Sequence, residues 1–128
     1  MEVRKIVALP GDGIGAIVLQ QAIRVLEAAG FKAEYIHGDI GWEFWRKEGN
    51  PLPERTLELI REHKIALFGA ITSKPNEEAK AELDPSLQGK GFVYSSPIVG
   101  LRQHFNLDIC VRPHGRRRRR TRRGWRRT

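Results

Sequence analysis

An apolar run that leads directly into a glycine-rich turn constrains the fold more than any other feature of this sequence. Residues 3–9, VRKIVAL, end in a continuous apolar stretch, which is typical of a buried strand. The turn PGDGIG at 10–15 follows, and glycine permits the tight, closely packed connection that a strand leading into a helix needs. Apolar residues then recur at spacings of three and four, which predicts one buried face of a helix. That face comprises Ile14, Val18, Ala22, Val25, Leu26 and Ala29.

Strand and helix patterns continue to alternate after this helix. In chain order they predict a strand at 31–35, a short helix at 41–48, a helix at 53–63 and a strand at 65–70. Trp42 and Trp45 are interpreted as core aromatics. Strand–helix alternation at this spacing is typical of an α/β fold with a mostly parallel sheet flanked by helices.

The last third of the chain is less regular. Residues 73–94 are polar and predict a long surface loop with a short helix at 76–83. Helical order resumes at 95–106, where a serine can cap the helix and Pro97 fits its first turn. LDICV at 107–111 predicts a further strand, with Cys110 in its interior. The single cysteine excludes a disulfide framework.

Charge divides the chain into two parts. The net charge of +8 comes from residues 114–128, HGRRRRRTRRGWRRT, because residues 1–113 carry fourteen basic against fifteen acidic side chains. We therefore assign 1–113 to one near-neutral domain and 114–128 to an arginine-rich tail, either disordered or the product of a shifted reading frame. A genuine tail would favour a nucleic-acid or membrane-surface arm. No run of 18 apolar residues and no signal-peptide pattern occurs, so we expect a cytoplasmic protein without a membrane span.

The glycine turn alone allows two interpretations. A tight strand-to-helix connection without a ligand accounts for Gly11, Gly13 and Gly15. Read as Gly11-x-Gly13-x-x-Ala16, with Glu34 roughly 20 residues further on, the same segment also satisfies the dinucleotide fingerprint of Rossmann folds. Short glycine patterns are common, so both interpretations stay open at this point.

Four ordered segments resemble a known family. LPGDGIG at 9–15 resembles the opening signature of the β-decarboxylating dehydrogenases, which include isocitrate, homoisocitrate and 3-isopropylmalate dehydrogenases. Agreement continues with GWE at 41–43 followed by PLPE at 51–54, with LFGAITS at 67–73, and with SPIVGLRQHFNLDICVRP at 96–113. Ala16-Ile17 departs from the usual Pro-Glu of the family. The resemblance implies the N-terminal portion of an isopropylmalate-dehydrogenase-like fold, which is not a Rossmann fold.

The resemblance also implies roles for six residues. Arg102 and Arg112 match the arginines that bind substrate carboxylates, and the planar guanidinium suits that task. Ser96 matches a substrate-binding serine of isocitrate-type members, although it can also cap a helix. Cofactor contacts are implied for Thr72, Ser73 and Ile14, with a turn hydroxyl and a helix-core position as the plainer alternatives. Ser96 favours isocitrate or homoisocitrate as the substrate, whereas the apolar pair Ile98 and Val99 suits 3-isopropylmalate.

The implied reaction is an oxidative decarboxylation with NAD or NADP as the hydride acceptor and Mg²⁺ or Mn²⁺ as the Lewis acid. Relatives carry the metal-binding aspartates, the lysine base and the tyrosine acid after the Arg-Pro motif. Residues 114–128 contain no Lys, Tyr, Asp or Glu, so no catalytic or metal-binding group is assigned to this chain. We expect full-length members of the family to be homodimers. For this chain by itself we expect apolar surface that nothing covers and no dehydrogenase activity.

Overall fold

A computed structural model describes residues 3–113 of the chain. The strands are β1 (Arg4–Gly11), β2 (Ala33–His37) and β3 (Ala66–Ala70). The helices are α1 (Gly15–Ala28), α2 (Trp42–Glu48), α3 (Glu54–His63), α4 (Asn76–Ala81) and α5 (Pro97–His104). The predicted tail at 114–128 lies outside the described residues.

The three strands form one parallel sheet in the order β2-β1-β3. β1 lies in the middle, and Val7 and Leu9 on it are fully buried. This arrangement confirms the predicted α/β class, because parallel strands need a crossover between them and α1 supplies the one from β1 to β2. The register aligns Gly11 with Ala70, so β1 and β3 end side by side at the carboxyl edge of the sheet.

Two apolar clusters hold the helices in place. The first packs α3 and α5 against β1 through Val7, Leu9, Ile40, Leu52, Leu57 and Ile60, joined by Leu101 and Phe105. The second joins α2 to the segment 73–94 through Trp42, Trp45, Ala79, Leu83 and Tyr94. The core role predicted for both tryptophans is therefore confirmed. The helix predicted at 76–83 is present as α4, but its segment is not only a surface loop, because it covers both indoles.

The predicted buried face of α1 is largely wrong. Gly15 and Leu19 are its buried residues, whereas Ile14, Val18 and Val25 are 67%, 49% and 68% exposed. The reason is that α1 carries apolar residues on more than one side, so spacing alone does not identify the side that meets the sheet. A helix-core role for Ile14 is excluded by the same exposure.

The strand predicted at 107–111 is also absent from the described part of the chain. Residues 107–113 have no regular secondary structure. Leu107, Ile109 and Val111 are 58%, 83% and 78% exposed, and Cys110 is exposed rather than buried in a strand. The alternation of apolar and polar residues is there, but no neighbouring strand pairs with this segment. The expected uncovered apolar surface is thus present in α1 and in this segment.

Candidate functional site

The glycine turn is pressed against the end of β3. Gly11 has a φ of +73°, and a Cβ on it would lie 1.8 Å from the carbonyl oxygen of Ala70. A Cβ on Gly15 would lie 2.2 Å from the carbonyl oxygen of Pro10. Backbone packing therefore explains the glycines at both positions. A Cβ on Gly13, whose φ is +53°, would meet no other segment within 4 Å, so only this glycine of the turn opens towards free space.

Asp12 ties the turn to two other segments. Its Oδ1 accepts a hydrogen bond of 2.7 Å from the backbone N–H of Trp42, and its Oδ2 accepts one of 2.9 Å from the backbone N–H of Thr72. Its own N–H donates to the carbonyl of Ala70 over 2.7 Å. One carboxylate thus fixes the start of α2 and the segment after β3 to the same turn. Sequence reasoning missed this residue.

The segment after β3 is held from its other side by Tyr94. The Tyr94 hydroxyl donates to the carbonyl oxygen of Thr72 over 3.1 Å. Its ring packs edge-on against Trp42 and Trp45, with centroid separations of 5.0 and 5.3 Å. Burial against these indoles raises the pKa of the Tyr94 hydroxyl above its ordinary value. The backbone at Thr72 is therefore fixed at both its N–H and its carbonyl.

A charged network of Trp42, Lys74 and Glu82 connects α2 to the segment after β3. The indole N–H of Trp42 donates to Glu82 over 2.6 Å, and the ammonium of Lys74 pairs with the other oxygen of that carboxylate. The same ammonium lies 5.5 Å from the centroid of the Trp42 ring. Hydrogen bonds from Lys74 and then Trp42 hold the pKa of Glu82 below its ordinary value. Glu82 is therefore an anion at neutral pH that joins α2 to the segment 73–94.

These contacts surround an open cavity of about 640 Å³ at the carboxyl edge of the sheet. Its walls bring the glycine turn and Thr72 together with charged side chains of both signs. The lining residues are Gly11, Asp12, Gly13, Trp42, Glu43, Arg46, Lys47, Thr72, Glu82, Leu83, Asp84 and Pro85. Ligand sites of open parallel sheets commonly lie at this edge.

The predicted cofactor residues lie at this edge, and the predicted substrate residues do not line the cavity. Thr72 is in the cavity wall, Ser73 is its exposed neighbour, and Ile14 immediately precedes α1. Arg102, on α5, is exposed, and Arg112 is exposed in the irregular segment rather than at a strand end.

The structure separates the two interpretations of Ser96. The residue is half-buried at the N-cap position of α5, immediately before Pro97. Its side chain makes no capping hydrogen bond. The cap that the sequence allows is therefore not used, and the substrate role implied by the resemblance stays a prediction.

The Rossmann interpretation of the turn is wrong. Glu34 is on β2 and pairs in register with Lys5, near the start of β1. Gly11 is six residues further along β1, which corresponds to roughly 20 Å of extended strand. In a dinucleotide fold the acidic residue and the glycine turn face one ligand at the carboxyl edge. Here Glu34 and the glycine turn lie towards opposite edges of the sheet.

Within residues 3–113, no three His, Cys, Asp or Glu side chains lie together in a group that could hold a metal ion. None of the helices in that range combines the length and the apolar character needed to cross a membrane.

The fold and the site define an α/β domain whose parallel sheet carries a cavity between a glycine turn and a hydroxyl-bearing segment. The sequence model of the isocitrate/isopropylmalate dehydrogenases matches residues 5–120. The chain belongs to this family, which confirms the resemblance. The matched range ends within the segment 114–128 that the charge pattern set apart.

Individual relatives agree with this assignment. The chain is 48% identical to protein DlpA of Legionella pneumophila and 42% identical to homoisocitrate dehydrogenase of Methanocaldococcus jannaschii, each over 109 residues and 85% of this chain. A β-decarboxylating dehydrogenase from Thermococcus kodakarensis superposes with a TM-score of 0.56 and 33% identity, over 82% of this chain. The matches cover 18%, 28% and 27% of those three proteins, so the chain corresponds to less than a third of each.

Proposed function

We propose that this chain forms the nicotinamide side of a site for NAD(P)-dependent oxidative decarboxylation of a 2-hydroxy polycarboxylic acid. The observation that carries the proposal is the Asp12 carboxylate, which fixes the glycine turn and the Thr72 segment to each other at the carboxyl edge of the sheet. Family membership supplies the reaction class.

The donor set at this edge fits a nicotinamide cofactor. Thr72 and Ser73 are exposed side by side, and hydroxyl groups can donate to or accept from a carboxamide. Ile14 follows Gly13 directly and is 67% exposed, so it offers an apolar surface to a ring. The cofactor would supply a hydride acceptor when bound. Thr72 would orient it, with the backbone at that residue held rigid by Asp12 and Tyr94.

The substrate is proposed to carry two or three carboxylates, with isocitrate or homoisocitrate favoured over 3-isopropylmalate. Arg102 and Arg112 would bind carboxylates and Ser96 would donate a hydrogen bond to one of them. Identity supports this preference by a small margin, because the homoisocitrate dehydrogenase is 42% identical to the chain and the 3-isopropylmalate dehydrogenases it matches over the same length are 35–37% identical. Arg102 and Arg112 are both exposed in this chain, so the proposal requires them to turn towards a shared ligand.

The divalent metal does not fit the described residues. Magnesium and manganese prefer several carboxylate oxygens, and residues 3–113 hold no such group. Residues 3–113 therefore cannot supply the metal-dependent step, and we propose that the chain alone has no dehydrogenase activity. The working protein is proposed to be a cytoplasmic homodimer. The nucleic-acid alternative draws no support from the family or from the relatives described above, and the tail lies outside the described residues.

Cofactor binding to the full chain tests the proposal. Titration with NADH and NADPH, followed by cofactor fluorescence, is expected to give weak binding that Thr72→Val reduces about five- to tenfold, because one hydrogen bond contributes about 1 kcal/mol. Ser95→Ala, which removes an exposed hydroxyl at a residue outside the cavity wall, is the matched control. Undetectable binding, or equal binding by wild type and Thr72→Val, would contradict the assignment of the cofactor edge.

Activity is a separate measurement. The purified chain is incubated with isocitrate, homoisocitrate or 3-isopropylmalate, each with NAD or NADP and Mg²⁺, and reduced cofactor is followed by absorbance. No NAD(P)H is expected. Sustained production of NAD(P)H would show that the residues present suffice for catalysis and would overturn the proposed inactivity.

A further inference from the structure

Tyr94 lies where two parts of the chain with different proposed roles meet. The proposed cofactor residues Thr72 and Ser73 follow β3 directly. The proposed substrate residue Ser96 lies directly before α5. Tyr94 is 22 residues from Thr72 along the chain, yet its hydroxyl donates to the Thr72 carbonyl over 3.1 Å. One side-chain hydrogen bond therefore joins the segment that ends β3 to the segment that begins α5.

The loop between these segments, residues 73–93, is closed at its base by Tyr94. The body of the loop rests on α2, where the indole N–H of Trp45 donates to the carbonyl of Ala79 over 2.8 Å in a buried contact. At the base, the backbone N–H of Tyr94 donates to the side-chain oxygen of Asn76 over 2.8 Å. The backbone and the hydroxyl of Tyr94 thus both bind the first residues of the loop.

Ser96 is confined between two buried residues. Tyr94 is 8% exposed, and Pro97, the first residue of α5, is fully buried. Ser96 is two residues from Tyr94, so their Cα atoms lie within roughly 7 Å of each other. The Ser96 carbonyl accepts from the N–H of Gly100 over 3.0 Å in the first turn of the helix. Because the connection is so short, a displacement of Tyr94 also displaces Ser96.

The Tyr94 hydroxyl is suited to act as a donor. Burial raises its pKa above the ordinary value, while the Ser73 side chain acts in the opposite direction with a smaller effect. The hydroxyl is therefore protonated at neutral pH. Packing against Trp42 and Trp45 involves the ring, and phenylalanine would supply the same ring. The contacts with the indoles thus give no reason for a hydroxyl at this position.

We propose that Tyr94 is a positioning residue whose hydroxyl couples the Thr72 segment to Ser96, so that the two segments move together. The ligands assigned to these segments rest on the proposed function, whereas the coupling is a property of the chain itself. Hydride transfer needs its two reactants at about 3–3.5 Å from each other. A bond between the cofactor segment and the substrate segment restricts that separation, and Tyr94 would act on it through the backbone of Thr72.

Hydrogen exchange of the full chain without ligands tests the coupling. Tyr94→Phe keeps the ring and removes the hydroxyl, and the loss of one hydrogen bond is expected to speed exchange about two- to tenfold. The acceleration should occur at the N–H of Thr72 and at the N–H of Gly100, which reports on Ser96 through its bond to that carbonyl. It should be smaller at the N–H of Val7, in the middle strand of the sheet.

Tyr35→Phe is the matched control. It also removes a tyrosine hydroxyl, but the Tyr35 hydroxyl is buried without a hydrogen-bond partner among residues 3–113. This variant is expected to accelerate exchange at none of the three amides. Acceleration at Thr72 without acceleration at Gly100 would show a local bond and no coupling. That result, an equal acceleration at Val7, or the same acceleration in Tyr35→Phe would each overturn the proposal.

NADH titration separates this proposal from the proposed function. Tyr94→Phe is expected to raise the NADH dissociation constant about two- to tenfold. Most of that effect should disappear when Thr72→Val is already present, because Tyr94 acts through Thr72. An unchanged dissociation constant, or fully additive effects, would overturn the positioning role and leave the cofactor edge intact. If the wild type binds no NADH, the proposed function fails, and hydrogen exchange alone decides whether Tyr94 couples the two segments.

Discussion

Replacing Asp12 by alanine is the sharpest test of how the site is held together. The change removes both acceptors that fix Trp42 and Thr72 to the glycine turn. The bond to Trp42 is partly buried, and a hydrogen bond to a charged group contributes about 1.5–3 kcal/mol. Thr72 is exposed, so its freed N–H can bind water and the loss there is about 0.5–1 kcal/mol. Asp12→Ala should therefore lower the free energy of unfolding by about 2–4 kcal/mol.

Urea unfolding followed by tryptophan fluorescence measures this loss, because Trp42 and Trp45 lie in the cluster that the change loosens. Asp84→Ala is the matched control, since Asp84 also accepts two hydrogen bonds, but both come from Ser86, whose backbone N–H and hydroxyl lie two residues away in an exposed turn. Asp84→Ala should lower the free energy of unfolding by less than about 1 kcal/mol, because hydrogen bonds between Asp84 and Ser86 join no distant segments of the chain. Equal losses for the two variants would refute the idea that Asp12 joins the turn to α2 and the Thr72 segment.

Two further predictions concern the turn and the charged network. Gly15→Ala should destabilise by at least about 2 kcal/mol, because its Cβ would meet the carbonyl of Pro10 at 2.2 Å. Gly13→Ala meets open space and should cost only about 1 kcal/mol for its left-handed backbone; urea unfolding that ranks them in the opposite order would contradict this reasoning. The pKa of Glu82 is below its ordinary value of 4.5. The ionised Glu82 side chain therefore stabilises the folded protein above pH 4.5, and this stabilisation is lost as pH falls through the lowered pKa. Acid unfolding should therefore begin at higher pH in Glu82→Gln, and an unchanged onset, as expected for the exposed Glu77→Gln, would count against the network.

The sequence predicted the parallel sheet because its signals are local. The run that forms β1 and the apolar run at 65–70 are continuous and short, which is typical of strands covered on both faces. Both strands appear within a residue or two of the predicted bounds. The turn at 10–15 was correctly placed between β1 and α1 because glycine and helix periodicity meet there.

The contacts that build the site were not predictable in the same way. Asp12 bonds across 30 and 60 residues to Trp42 and Thr72, and nothing in the residues around it indicates either partner. Tyr94, in a segment interpreted as a surface loop, buries its ring against two indoles. The one available signal was the high aromatic content of α2, since two tryptophans in seven helical residues require a cover from elsewhere in the chain.

The error in α1 has a different physical origin. Periodicity indicates that a helix has apolar residues at helical spacing, but α1 has two such sides. Leu19 is buried, whereas Val18 and Val25 are exposed to solvent. Helices that are apolar on more than one side are typical of positions enclosed by further structure. The relatives extend well beyond the matched segment, so they have additional chain with which to cover such a face. Residues 3–113 leave the second apolar side of α1 exposed, and spacing alone does not distinguish that side from the one that meets the sheet.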